Sequence, residues 1–406
     1  MKKIPIFSFV FLLPLCMVLL GCVEEFEPKT TFENENLLVV DALVTNQIKT
    51  QKINLWQTTN LGANQEPQPE IRAQIRVVEN GSTTHAFHET SPGIYESDKE
   101  WGIRSQNSYR LHITRANGKT YVSEVVIAPS MSELETVEAV VASNAQGETG
   151  ISILINSRSE AQNSHFYRFE YAESYKIIAP EWSPFEFDVI NREKPNYEVG
   201  IKINQSNKRV CYGYDESSQI LQFTTAHLTE DRIVDYEVRF IPQTNYIVSH
   251  RYTIEVSQYV QTPDSFSYFE QLKEQEAGQN LLSTVQPGFL QGNVRSEKDK
   301  NERVVGFFDV STVSSKRIWV NYSDMFPNAP LPPYVINCIP NFSPRLIHPQ
   351  LGTSPLIEAL DEHLITYVSE NEDYPLHDPR PYLVVKVPCG DCSVLGTDKK
   401  PDFWIE

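Results

Sequence analysis

Ile71-Arg72-Ala73-Gln74-Ile75-Arg76-Val77-Val78-Glu79-Asn80-Gly81 is a period-two stretch that ends on a turn signal. Ile71, Ala73, Ile75 and Val77 share one face and Arg72, Gln74 and Arg76 the other, the alternation of a half-buried strand. Asn80-Gly81 then supplies the positive φ angles of a tight hairpin turn. Downstream, Tyr109, Leu111 and Ile113 alternate in the same way, Asn117-Gly118 turns the chain, and Tyr121, Val125 and Ile127 return. Two Asn-Gly turns between alternating runs read as hairpins. Upstream, Leu37 to Val44 forms one strand, and Ile53, Leu55 and Gln57 lie in the next. Short strands with frequent turns over residues 36–130 predict a small β-sandwich, Ig-like or transthyretin-like, ending near Pro129-Ser130.

A second β unit follows over 131–262. Val137, Ala139 and Val141 mark one strand, and Ile151, Ile153 and Ile155 another. Phe166 to Tyr171 carries aromatics on both faces, and residues 180–208 read as a long insertion or hairpin. Strands resume at Ile220 to Phe223, Tyr236 to Ile241 and Tyr252 to Val260, a spacing that suits a fibronectin-like sandwich. The region 263–406 opens with one short helix. Asp264 caps it after Thr262-Pro263, Phe266, Phe269 and Leu272 follow at helical spacing, and Gly278 ends it. Two strands, Val304 to Val310 and Arg317 to Tyr322, come next. The proline-rich tail from Pro327 to Pro388 is expected to wrap over the domain without a core of its own. The fold class is therefore mainly β: tandem Ig-like and fibronectin-like sandwiches, one short helix and a proline-rich C-terminal tail.

The chain has 406 residues, 40% hydrophobic, with a formal net charge of −18. A body this acidic argues against nucleic-acid binding and against adhesion to an anionic membrane surface. Attachment to a membrane then depends on a lipid, and the N-terminus offers one. Lys2 and Lys3 precede an uncharged apolar run, Ile4 to Leu20, interrupted by Pro5 and Pro14, with no basic stop-transfer cluster after it. Leu19-Leu20-Gly21-Cys22 closes the run and resembles a bacterial lipobox, which implies a signal peptide over 1–21 and a lipid (diacylglyceryl plus an amide-linked chain such as palmitate) on Cys22. Several acyl chains anchor stably where one does not. Residues 22–35 form an acidic linker, and its Glu24, Glu25 and Glu27 resemble the surface-export signal of Bacteroides-group lipoproteins.

With Cys16 in the signal and Cys22 lipidated, Cys211, Cys338, Cys389 and Cys392 remain. Four cysteines in an exported protein read as two disulfides with three possible connectivities. A Cys211–Cys338 bond would close a loop worth ~4–5 kcal/mol in the chain-entropy model, and a Cys389–Cys392 bond almost nothing; the sequence leaves the pairing open. Cys389-Gly390-Asp391-Cys392 has the spacing of a redox motif, but it follows a strand and Pro388 without the helix context of a thioredoxin-like site, so the structural reading is preferred. The nine histidines form no ligand pattern: His85 and His88 fall on opposite faces of a strand, and His348, His363 and His377 are scattered in the tail. The chain carries no nucleophile elbow, phosphate loop, dinucleotide fingerprint or zinc-protease motif. No catalytic residue, metal or cofactor is assigned. Among the aromatics, Trp101 beside Gly102 and Trp182 in the insertion are the expected exposed binding positions, for a small-molecule, glycan or peptide ligand.

Several segments taken in order carry a family resemblance. They are Cys211-Tyr212 with Ser217 to Ile220, Phe266 to Leu272 leading to Pro287, and Gly292-Asn293-Val294. Glu302, Val304 to Phe308 and Val313 to Arg317 continue the series, and Cys389 to Cys392, Gly396 and Lys400 to Trp404 complete it. With the lipobox, this order resembles the Bacteroidota outer-membrane lipoproteins grouped as domain of unknown function 4249. Gln286 to Phe289 departs slightly from the usual proline-bearing link, and Asp398-Lys399 lacks a typical second glycine. The resemblance implies no catalytic residues; members are often encoded beside TonB-dependent transporters, which implies an accessory or binding role at the outer membrane. The alternatives are a structural or adhesive surface module without a transporter, and a thiol redox or hydrolytic enzyme. Physically, Gly292 and Gly306 suit tight backbone positions, and Phe403-Trp404 suits a terminal plug.

Overall fold

A computed structural model describes residues 37–58, 67–159, 164–278, 290–340, 342–374 and 379–406. The 1–21 signal, the 22–35 linker with Cys22, residues 286–289 of the family pattern and His377 lie outside the described residues. The protein is mainly β, and one long strand, Val304–Asn321, sets its architecture. The first half of that strand pairs in parallel with Leu38–Thr45, from Leu38 opposite Val304 to Thr45 opposite Ser311. The second half pairs antiparallel with Arg251–Val260, from Val260 opposite Thr312 to Arg251 opposite Asn321. A single strand thus belongs to both β units and joins them in one 15-stranded sheet.

The sequence predicts two strands here, since Ser311 to Lys316 looks like a polar break. Those residues change partners without leaving the strand. Ser311 and Thr312 are buried there with their hydroxyls satisfied, Ser311 donating to Asp309 and Thr312 to the Ser130 carbonyl. A buried polar side chain is tolerated where it finds such a partner.

From Leu38–Thr45 the N-terminal sheet continues through Lys52–Gln57, Ile94–Ser97, Thr83–Ser91, Gln74–Glu79, Ser108–Thr114 and Thr120–Ser123 to Val294–Ser296. The two Asn-Gly turns form as expected, with Asn80 at φ 50, Gly81 at φ 69 and Gly118 at φ 80. Ile75, Val77, Tyr109, Leu111, Ile113 and Tyr121 face one core together with Leu38, Val40, Ile53 and Leu55. The alternation misleads at its ends. Arg72 has φ 58 and breaks the run before Ala73, so Ile71 lies outside the strand and is exposed. After Ser123 the strand ends, and a separate short strand, Val126–Ile127, pairs with Ser108 and Tyr109 so that Val126 stands opposite the buried Tyr109. Val126 and Ala128 therefore turn inward, and Val125 and Ile127 stay exposed.

The sheet curls until its last strand meets the long strand again, and one side chain closes the gap. The Asn293 amide donates through Nδ2 to the Phe308 carbonyl at 2.9 Å, and its Oδ1 accepts the Phe308 N–H at 2.8 Å. It occupies the place of a missing strand residue. Phe308 is fully buried, so Asn293→Ala strands two backbone groups from water. A loss of about 1–3 kcal/mol is expected, read as a lower urea midpoint with faster hydrogen exchange at the Phe308 amide.

In the second unit, Glu133–Ser143, Thr149–Arg158 and Arg232–Pro242 form a three-stranded sheet. It packs on Phe166–Ile178, Val210–Glu216, Arg251–Val260 and the second half of the long strand. Ile151, Ile153 and Ile155 meet Tyr167, Phe169, Ile254 and Val256 in the core between the layers. The two-faced aromatic strand is explained by cover on both sides. Tyr167 and Phe169 face the opposing sheet, and Phe166 packs against Phe266 of the helix Pro263–Gly278 at 5.1 Å. Thr262 caps that helix rather than Asp264: its hydroxyl accepts from the Ser265 amide and its carbonyl from the Phe266 amide, while Asp264 sits in the first turn.

The proline-rich tail also departs from expectation. Helix Pro355–Asp361 and the hairpin Ile365–Glu370 with Tyr382–Lys386 bury Leu356, Ile357, Ile365 and Val384 in a third small core. The other wall is the insertion, which forms the hairpin Phe185–Asn191 with Glu198–Ile203 and contributes Val199. Two segments that look coreless separately complete each other.

Candidate functional site

The cysteines locate the site. Cys389 lies in the single helical turn Val387–Gly390, which follows Tyr382–Lys386 directly, and Cys392 opens the turn Cys392–Val394. Cys392 is bonded to Cys211 on Val210–Glu216, and Cys389 to Cys338 in the proline-rich segment. The Cys-x-x-Cys pair is therefore split between two partners, and both of its sulfur-bearing residues are fully buried. This is a double clasp. The tail beyond it is pinned by paired backbone bonds between Tyr212 and Thr397 and by Trp404, whose ring meets Tyr212 at 4.8 Å and Trp319 at 5.1 Å. Of the terminal plug expected from Phe403-Trp404, Trp404 is buried, whereas Phe403 stays 41% exposed with the Arg317 guanidinium 4.0 Å over its ring.

Neither tryptophan proposed for exposure is a free binding surface. Trp101 is only 8% exposed, stacked on His85 at 3.8 Å. Gly102 brings its segment hard against Asn46, where a Cβ would come within 2.4 Å of the Asn46 carbonyl, and the buried Gln51 amide donates to the Trp101 carbonyl. The turn folds inward over the core. Trp182 is half-buried against the second core. His85 is held by Glu79 and His88 by Asp98, each at a separate place. Among the described residues no group of three or more His, Cys, Asp or Glu is placed to hold a metal ion, and no helix is long and apolar enough to cross a membrane.

Buried charges elsewhere are tied up in the scaffold. Glu173, buried between the layers of the second unit, accepts two bonds from Arg239 and one from Tyr252 at 2.6 Å. Burial and then the neighbouring Glu173 raise the Tyr252 hydroxyl well above its ordinary value. Under the helix, the Arg168 guanidinium lies between the rings of Tyr259 and Phe269 at 4.6 and 4.7 Å. It approaches Asp309, whose carboxyl is raised by complete burial against the opposing pull of Arg168. These groups hold layers together.

An open cleft lies beside the clasp, between the insertion hairpin and the C-terminal small sheet, with a volume of about 460 Å³. Phe185, Phe187 and Tyr367 supply its aromatic wall, and Gly390 and Asp391 of the cysteine motif form part of its floor. Phe187 is fixed edge-on to Tyr367 at 5.4 Å and to Tyr382 at 5.2 Å, whereas Phe185 is 44% exposed. The polar lining is arranged in pairs. Arg192 Nη1 meets both Asp361 oxygens at 2.6 and 2.7 Å, and Lys208 donates to Asp391 at 2.8 Å. Burial works against the Asp391 charge, but bonds from Lys208 and Ser393 prevail and hold its carboxyl below the usual range. Asn204 is oriented by its own bonds, donating to the Ser183 carbonyl and accepting from Ser206.

Sequence reasoning singled out Cys389 and Cys392 but missed the cleft they support. The alternation Phe185, Phe187, Val189 was the available signal. It was masked by the polar composition around it, and its partner wall lies about 180 residues away in the chain.

The protein is thus a mainly β body whose tail is clasped by two disulfides, with an open cleft beside the clasp. The chain belongs to the family described as domain of unknown function (DUF4249), which matches residues 23–317. No curated protein matches the chain. Among solved structures, the collagen binding domain of the Erysipelothrix rhusiopathiae surface protein RspB aligns at 8% identity, covering 70% of this chain and 98% of that one. Its TM-score is 0.12, a level at which the likeness carries no argument.

Proposed function

We propose that the protein is a lipid-anchored outer-membrane binding lipoprotein, facing the cell surface and serving as an accessory subunit of a TonB-dependent transporter in nutrient uptake. The observation that carries this reading is Leu19-Leu20-Gly21-Cys22 standing ahead of an acidic, disulfide-bonded body. The acidity removes electrostatic adhesion to an anionic membrane as a means of attachment, so the acyl groups on Cys22 would do the holding. Two disulfides suit an oxidising compartment. The cleft gives the body something to bind with, and no residue is assigned a catalytic role.

Metabolic labelling with an alkyne fatty acid is expected to tag the wild-type chain and to fail with Cys22→Ala, which should also leave the membrane fraction. Labelling that survives the substitution would remove the anchoring part of the proposal. A β-barrel transporter should co-purify with the tagged wild-type protein from mild detergent; a clean monomer there argues against the accessory role.

A further inference from the structure

We propose that the cleft between the Phe185–Asn191 hairpin and the Ile365–Glu370 strand binds a neutral saccharide. This rests on the reading of the protein as a binding lipoprotein and names the ligand class. Three features point to it. First, the volume of about 460 Å³ fits one or two sugar rings and falls within the range of small-molecule sites. Second, the arginine and the lysine of the lining are already paired: Arg192 with Asp361 and Lys208 with Asp391. Glu186, the remaining lining carboxylate, shares Lys202, which lies outside the lining, with Asp188, at 3.7 and 3.6 Å. A phosphate or sulfate ligand would find no lysine or arginine in the lining that lacks a carboxylate partner. A hydroxyl, by contrast, can accept from a guanidinium and donate to a carboxylate that are already paired, because one ion pair leaves donors and lone pairs on both groups.

Third, the aromatic wall offers a ring to the C–H face of a pyranose. Phe185 presents that ring at the mouth of the cleft, next to oriented polar groups on Asn204 and Ser183. Apolar contact and hydroxyl recognition are then provided from adjacent positions. The floor is held by the two disulfides through Cys389 and Cys392, so little ordering accompanies binding.

The test is affinity electrophoresis of the full chain in mild detergent through gels containing dextran, mannan or xylan, with dextran sulfate and soluble casein peptides as comparison probes. At least one neutral polysaccharide is expected to retard the protein. Phe185→Ala and Arg192→Ala should each weaken the retardation about tenfold or more with an unchanged melting temperature, and Phe185→Tyr should retain it. Tyr214→Ala, exposed but outside the cleft, should have no effect. Passage unretarded by all three neutral polysaccharides, retardation that survives both alanine substitutions, or retention by dextran sulfate or peptides alone would overturn the proposal. The fatty-acid label on Cys22 is read separately, so anchoring and ligand class stand or fall independently.

Discussion

Gly306→Ala is expected to prevent the N-terminal unit from closing, with a loss of at least about 4 kcal/mol, in the range reserved for special backbone positions and core disruption. Gly306 has φ +100, and a Cβ there would lie 1.9 Å from the Val40 carbonyl oxygen and 2.7 Å from its carbon. Both obstacles are backbone, so no rotamer change relieves them. Val40 is the direct partner of Gly306 in the parallel pairing, so the clash falls in the middle of the ladder that joins the units. Gly292 lies on the opposite side, where its own Cβ would sit 1.6 Å from the Gly306 carbonyl. Three backbones converge on one point. Gly81→Ala is the control: it shares a positive φ of 69 but opens on empty space, so only the left-handed penalty of about 1–2 kcal/mol applies. Urea unfolding of both variants checks the contrast; comparable midpoints would mean that the convergence is not tight.

The second large effect is expected at the long-range disulfide. Cys211 and Cys392 are 181 residues apart. In the chain-entropy model a loop of that length contributes about 5 kcal/mol, and removal of native disulfides typically costs 2–5 kcal/mol. The double substitution Cys211→Ala with Cys392→Ala should lower the melting temperature more than Cys338→Ala with Cys389→Ala, whose separation is only 51. The first pair also fixes the tail whose Trp404 rests between Tyr212 and Trp319. Its loss should therefore be accompanied by a red shift of tryptophan emission, which the second pair should not produce. Equal shifts from both pairs would show that the plug is held independently of Cys392.

Local periodicity made the hairpins legible. Ile75 and Val77, Tyr109 to Ile113, and the two Asn-Gly turns obey rules that act within a few residues, and the structure follows them. The same rules fail where a distant element decides the outcome. Val125 and Ile127 keep the parity of Tyr121 but lose its face because a separate strand starts at Val126, opposite Tyr109. Ser311 and Thr312 look like loop residues until Asp309 and the Ser130 carbonyl are placed beside them. The third core could not be read from Leu356 or Ile365 alone, since its other wall is Val199 in the insertion. The cleft shares that origin: Phe185 and Asp361 become neighbours only after the two segments dock. Cysteine spacing raised the right four residues, but choosing Cys211–Cys392 and Cys338–Cys389 required knowing which strand the tail crosses.

The shared strand has a mechanical consequence. Leu38–Thr45 is the first described strand, and it runs parallel to residues 304–311, while residues 312–321 are embedded in the second unit. Tension applied ahead of Leu38 and resisted at the second unit pulls these two strands in opposite directions along their common axis. Eight residue pairs, from Leu38–Val304 to Thr45–Ser311, then bear the load together in shear instead of peeling apart one by one. Under the proposed N-terminal anchoring, a load on the second unit would pass through this seam in shear.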